Sequence, residues 1–179
     1  MKIKTHIVKI VLTSVMIALN IVLERFFTFH IESNHYSISI ITVAFAAVYL
    51  GLPYAITVAA LGDIIGALMF PIGAYFPGFT LTNVLTALCI CLFIGKKVTV
   101  VRSITAVLIN KAIGTLILNS IWVSVLYKGG IDAFPAYMVT RIPQAIIMLV
   151  IESIILIYIF HEESTVRDLL NKSMQRALK

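Results

Sequence analysis

The sequence predicts an all-α integral membrane bundle of six transmembrane helices with both termini in the cytoplasm. Three observations carry this expectation. Of the 179 residues, 60% are hydrophobic and only 12% are charged, and the mean hydropathy is +1.04. A soluble domain holds roughly 45–50% apolar and about 25% charged residues, so lipid is the solvent that suits this chain. The apolar residues also run continuously instead of alternating, which excludes a barrel. Helices remain, because they satisfy backbone polar groups within each segment. Finally, Lys and Arg cluster between particular apolar runs, as cytoplasmic loops do.

The segments are expected at 7–23, 38–50, 53–70, 81–94, 104–127 and 143–160, within a single membrane domain over 1–179. A spanning helix needs about 20 apolar residues, within about 17–25, so the second and fourth are short. The first, "MKIKTHIVKIVLTSVMIALN", has the charged start and apolar core of a signal peptide. No small-x-small cleavage site follows, so it reads as an uncleaved helix. "GLP" makes a tight turn into the third segment, and "GKKVTVVRS" is a basic link into the fifth.

Ten cationic residues fall on one side: Lys2, Lys4, Lys9, Lys96, Lys97, Arg102, Arg167, Lys172, Arg176 and Lys179. Three fall on the other, Arg25, Lys128 and Arg141, while Lys111 lies inside a segment. The net charge of +6 is therefore a topology signal and a lipid contact, and no nucleic-acid partner is expected. The outer connections are "ERFFTFHIESNHYS", "GAYFPGFTLTN" and "KGGIDAFPAYMVTRIP". The last ends at Pro143, suited to the first turn of a helix. Long, chemically varied loops tend to carry function, so the working face is expected outside.

The chain does not read as an enzyme. "FIGKKV" lacks the glycine spacing and the Ser/Thr of a P-loop, and no HExxH, GxSxG or CxxC occurs. His6, His30, His35 and His161 all fall in loops or tails. Cys89 and Cys91 are two apart, so they point to different helix faces and read as packing residues. No metal or cofactor is expected.

Ionisable groups inside a membrane are costly and so draw attention. Asp63, Lys111 and Glu152 are expected roughly 15, 10 and 12 Å from the cytoplasmic ends of their helices, at about 1.5 Å per residue. The expected arrangement is a structural ion pair, Lys111 with Glu152 or Asp63. A proton relay and snorkelling by Lys111 are the other readings. Nearer the outer surface lie Asn83, Asn119, Trp122, Tyr127, Gln144, Arg25 and Arg141. Amides pair with a heterocycle edge, rings stack on its face, and Arg forks a carboxylate. That set suits a flat, polar, anionic small molecule, and equally an interfacial aromatic belt. Ser14 with Ala18, and Gly62 with Gly66, have the small-xxx-small spacing of close helix contacts. The first pair also suits a docking face.

"GALMFPIGAYFPGFTLTNVLTAL", "LILNSIWVSVLYKGG" and "RIPQAIIMLVIE" resemble the substrate-binding S components of energy-coupling factor (ECF) vitamin transporters, closest to the folate-specific branch. The resemblance covers nearly the whole chain. It implies a multi-pass protein of a prokaryotic cell membrane that binds folate or a related pterin from outside. Such a protein docks on a transmembrane coupling subunit carrying two ABC-type ATPases, and topples to release its substrate. Ser14 and Ala18 match the docking positions, with Ser in place of the more usual Ala. The implied pocket residues are Pro77, Gly78, Phe79, Thr80, Asn83, Asn119, Trp122, Tyr127, Arg141 and Gln144, with Phe76 in the ring cluster. Gln144 stands where relatives often have Lys or Arg, which leaves Arg25 as a substitute for holding carboxylates. The alternatives are an S component for another vitamin, a self-sufficient secondary carrier of a small anion driven through Asp63, Lys111 and Glu152, and a structural membrane protein.

Overall fold

The computed structural model describes residues 2–31, 34–72, 75–94, 99–126 and 131–160. Each apolar run forms a helix: α1 Lys2–Arg25, α2 Ile40–Leu50, α3 Leu52–Met69, α4 Pro77–Phe93, α5 Val100–Leu126 and α6 Phe134–Phe160. Four of these (α1, α3, α5 and α6) are long and apolar enough to cross a membrane, while α2 and α4 are shorter.

Local chemistry sets the ends. Gly51 takes φ +104°, a left-handed conformation that favours glycine, and lets α2 turn straight into α3. Pro53 then sits in the first turn of α3, where a missing N–H costs nothing. Lys9 donates to the Leu50 carbonyl at 3.2 Å and lies over the Tyr54 ring, so one cation seals that turn. Two helices contain wide π turns, with N–H groups bonded five residues back. They are Ala46–Leu50, ending α2, and Lys111–Leu118, in the middle of α5.

Two helix starts differ from expectation. Helix α4 begins at Pro77 instead of residue 81, because Pro77 occupies the first turn after an extended Phe76. Helix α6 begins at Phe134, nine residues before Pro143, so Pro143 lies inside the helix. The polar residues Arg141 and Gln144, which read as loop or helix-start chemistry, are buried on the face of α6 turned to the bundle. A hairpin also occupies the first outer connection. Strand β1, Thr28–Ile31, pairs antiparallel with β2, Asn34–Ser37, with Thr28 opposite Ser37 and Ile31 opposite Asn34.

The bundle has two unlike halves. Around the α2–α3 turn, an apolar core packs Leu50, Ala55, Val58, Ile90, Val107, Leu156 and Phe160. Many alanines in this cluster let the helix backbones approach closely. Towards the hairpin the interior becomes polar, with Asn20, Glu24, Asp63, Arg141 and Gln144 all buried. The outside is apolar: Leu68, Leu92 and Val101 are 70–74% exposed, as a lipid-facing surface requires. Thr57 and Thr105 on intermediate surfaces return their hydroxyls to carbonyls four residues back, which spares lipid an unpaired donor.

Candidate substrate-binding site

A single-sided cavity opens in the polar half, walled by all six helices and β2. Helix α1 contributes Asn20 and Glu24, four residues apart and therefore on one face. The hairpin side supplies His35 and Ser37, and α4 supplies Thr82, Asn83 and Thr86. From α5 come Asn110, Lys111, Thr115 and Asn119, and from α6 Arg141, Gln144, Met148 and Glu152. The free volume is about 110 Å³, less than the roughly 300–1,000 Å³ of a typical pocket for a drug-sized ligand.

Polar side chains of the wall hold one another in place. Lys111 Nζ donates to Glu152 Oε1 at 2.6 Å, joining α5 to α6. Thr86 Oγ1 lies 2.9 Å from Asn110 Oδ1, and the Asn83 side chain hydrogen-bonds Glu24. Asn20 Nδ2 donates to Thr42 Oγ1 at 2.8 Å and rests against Gly62, where a Cβ would strike it. Side-chain bonds stitch the hairpin to α6. Gln144 Nε2 donates to the His35 carbonyl at 2.5 Å, and Asn34 Nδ2 donates to the Thr140 carbonyl at 3.2 Å.

Several acceptors in the wall are buried and have no protein donor: Asn119 Oδ1, Gln144 Oε1 and Glu152 Oε2. The Gln144 amide cannot be flipped, because a carbonyl must receive an N–H from it. Buried polar atoms are normally paired, so this excess of acceptors suits a ligand rich in N–H groups. Arg141, 4% exposed, and Lys111 add positive charge to the same space.

Of the residues expected to bind, Asn83, Asn119, Arg141 and Gln144 line the cavity. Lys111 and Glu152, expected first of all as a structural pair, line it too. Asp63 is not part of that pair. It faces Arg25, whose Nη2 lies 3.7 Å from Asp63 Oδ1, and it accepts from Thr80 Oγ1 at 2.5 Å. Arg25 is committed to this contact and packs on Gly66, outside the cavity wall, so it does not stand in for a carboxylate holder there.

Phe76, Pro77, Gly78, Phe79, Thr80 and Trp122 also lie outside the wall. The rings that were expected to stack on a ligand stack on each other: Phe76 meets Phe79 at 6.2 Å and Trp122 at 5.6 Å between centroids. Gly78 permits this, since a Cβ there would lie 2.5 Å from Trp122 Cδ2 and 2.6 Å from Phe76 Cε1. Ring surface in contact with ring surface is already removed from water and lipid, so the cluster is a brace behind the wall. Tyr127 lies outside the described residues. Ser14 and Ala18 are exposed on the outer face of α1, with Ser14 Oγ on the Ile10 carbonyl at 3.1 Å.

Sequence reasoning overlooked Asn20, Glu24, Thr82, Thr86, Asn110 and Thr115. The signal was the spacing of four in Asn20–Glu24, in Thr82–Thr86 and in Lys111–Thr115–Asn119, which aligns polar groups along one helix face. Glu24 was hidden because it was read as the first residue of a loop.

A membrane bundle with a polar, charge-lined cavity is a membrane-embedded binding protein for a small solute. The family model described as "ECF transporter, substrate-specific component" matches residues 8–160, and the chain belongs to this family. It is a multi-pass protein of a prokaryotic cell membrane. The folate transporter FolT of Clostridium novyi (strain NT) is 35% identical over 142 residues, covering 79% of this chain and 81% of that protein. FolT of Leuconostoc mesenteroides is 32% identical over 146 residues, covering 79% and 78%. The crystal structure of FolT bound with folic acid superimposes with a TM-score of 0.78 at 31% identity, covering 86% of this chain and 92% of that one.

Proposed function

We propose that this protein captures folate, or a closely related pterin, as the substrate-binding component of an ATP-driven ECF transporter. The observation that carries the proposal is the likeness, over most of both chains, to a structure that holds folic acid. The cavity chemistry supports it. Unpartnered acceptors at Asn119, Gln144 and Glu152 complement the amino and ring N–H groups of a pterin. Arg141 complements carboxylates.

Along α6, Arg141, Met148 and Glu152 all face the cavity. The eleven residue-to-residue steps from 141 to 152 span roughly 16 Å at about 1.5 Å each. An elongated ligand with a polar heterocycle, a central ring and an anionic tail lies naturally on such a stripe. The pterin takes the deep end at Lys111 and Glu152, and the tail takes Arg141. A ligand of that length requires the cavity to widen on entry.

The partners follow from the family: a transmembrane coupling subunit and two ABC-type ATPases that supply the energy. The exposed face of α1 around Ser14 and Ala18 is the docking surface in this reading. Isothermal titration of the purified protein with folic acid tests the substrate. Binding at sub-micromolar concentration is expected. Failure to bind at micromolar concentration, with another vitamin binding instead, overturns it.

A further inference from the structure

The Lys111–Glu152 pair is the part of the cavity that a purely structural account explains least well. A buried ion pair that only ties helices together gains little over well-packed apolar residues. It is tolerable when its remaining lone pairs and protons are satisfied. Here Glu152 is 3% exposed, yet only Oε1 has a partner; Oε2 is buried and bare. Lys111 uses one of its three N–H groups on Oε1. Both side chains face the cavity. The pair therefore offers, side by side, a free acceptor and free donors on a charged, oriented frame.

We propose that Lys111 and Glu152 together read a lactam edge, meaning a ring N–H next to a ring C=O. The N–H donates to Glu152 Oε2, and the carbonyl accepts from a second N–H of Lys111. Asn119 Oδ1 is bare as well, but that amide is neutral and lies eight residues along α5 from Lys111. Glu24 already has the Asn83 side chain on it. Gln144 Oε1 lies two turns further along α6, roughly 12 Å away along the axis, too far to share one ring edge. The ion pair orders the reading, because the contact of 2.6 Å holds the ammonium and the carboxylate side by side. A site built to satisfy a donor–acceptor pair rejects an analogue that presents the reverse pattern.

The inference rests on the folate reading and sharpens it: the determinant of specificity is the 4-oxo edge of the pterin. The test compares folic acid with 4-amino-4-deoxyfolic acid. The analogue carries an amino donor in place of the carbonyl, and a bare ring nitrogen in place of the N–H. Titrations use the full-length protein in detergent, as wild type and as the double variant Lys111→Met/Glu152→Leu, which removes both charges without stranding one. Wild type is expected to prefer folic acid at least tenfold. The double variant is expected to lose that preference, to within threefold, beyond any general loss of affinity. A wild type without the preference, or a double variant that keeps the wild-type ratio, overturns the inference and leaves the folate reading standing. A wild type that binds neither compound overturns both. Should the double variant not fold, as judged by its size-exclusion profile, Glu152→Gln carries the same comparison. It places an amide N–H where the bare ring nitrogen can accept it, so its preference should narrow. An unchanged ratio in Glu152→Gln is equally fatal to the inference.

Discussion

The Trp122 indole N–H donates to Thr82 Oγ1 at 3.1 Å, which ties the aromatic brace of α4 and α5 to a residue of the cavity wall. Trp122 is the single tryptophan of the chain. Folic acid entering the cavity should therefore change its emission, and a fluorescence titration should return the calorimetric affinity. Thr82→Val leaves the indole N–H without an acceptor and should cost about 1–3 kcal/mol of stability. Thermal unfolding in detergent reads that cost.

Gly78 is where the brace is tightest. Gly78→Ala pushes a methyl between Trp122 and Phe76, and overpacking of this kind costs about 1–3 kcal/mol. The unfolding midpoint should fall. A variant as stable as wild type would show that the rings move aside easily and that the brace is soft.

Arg25 and Asp63 should behave as a structural pair. In a double-mutant cycle with Arg25→Leu and Asp63→Leu, a coupling of about 0.5–3 kcal/mol is expected. Folic acid affinity should change little in Arg25→Leu compared with Arg141→Gln. A larger affinity loss at Arg25 would restore it as a ligand group.

Arg141 should hold the tail. Arg141→Gln is expected to weaken folic acid binding by about 1.5–3 kcal/mol, the worth of a charged hydrogen bond, or roughly 10–100-fold. Pteroic acid, which lacks the glutamate, should bind the variant and the wild type alike. An equal loss for both compounds would place Arg141 elsewhere on the ligand.

Ala18→Trp separates capture from delivery. The bulky ring sits on the exposed face of α1, away from the cavity, so binding by the purified protein should be unchanged. Uptake by cells that supply the ATPase module should be abolished. Uptake at the wild-type rate would remove α1 from the docking surface.

Much of the fold was legible because lipid imposes a simple code. Continuous apolar runs gave all six helices, and Gly51 with Pro53 marked the α2–α3 turn in the sequence itself. The start of α6 was not legible in the same way. Pro135 sits in its first turn, but Pro143 carries the same signal eight residues later, and the polarity of Arg141 and Gln144 favoured the later one. Those residues are polar because they face a cavity, not because they leave the membrane. The site was half legible for a related reason. Composition reveals amides and rings, but not which of them turn inward. Asn119 and Trp122 share a helix face by spacing, yet one meets the cavity and the other meets Phe76.

The wide turns of Lys111–Leu118 make that stretch of α5 behave like an absorbed insertion. One extra residue in a regular helix would swing everything beyond it by about 100°; a wider turn takes up the surplus locally. A one-residue deletion there is consequently the gentlest possible lesion by hydropathy and the harshest by function. The span would close into an ordinary helix with its flanks in place, while Lys111 and Thr115 would no longer aim into the same space. Length variation among natural relatives at this point should therefore track what they carry, and not how well they insert.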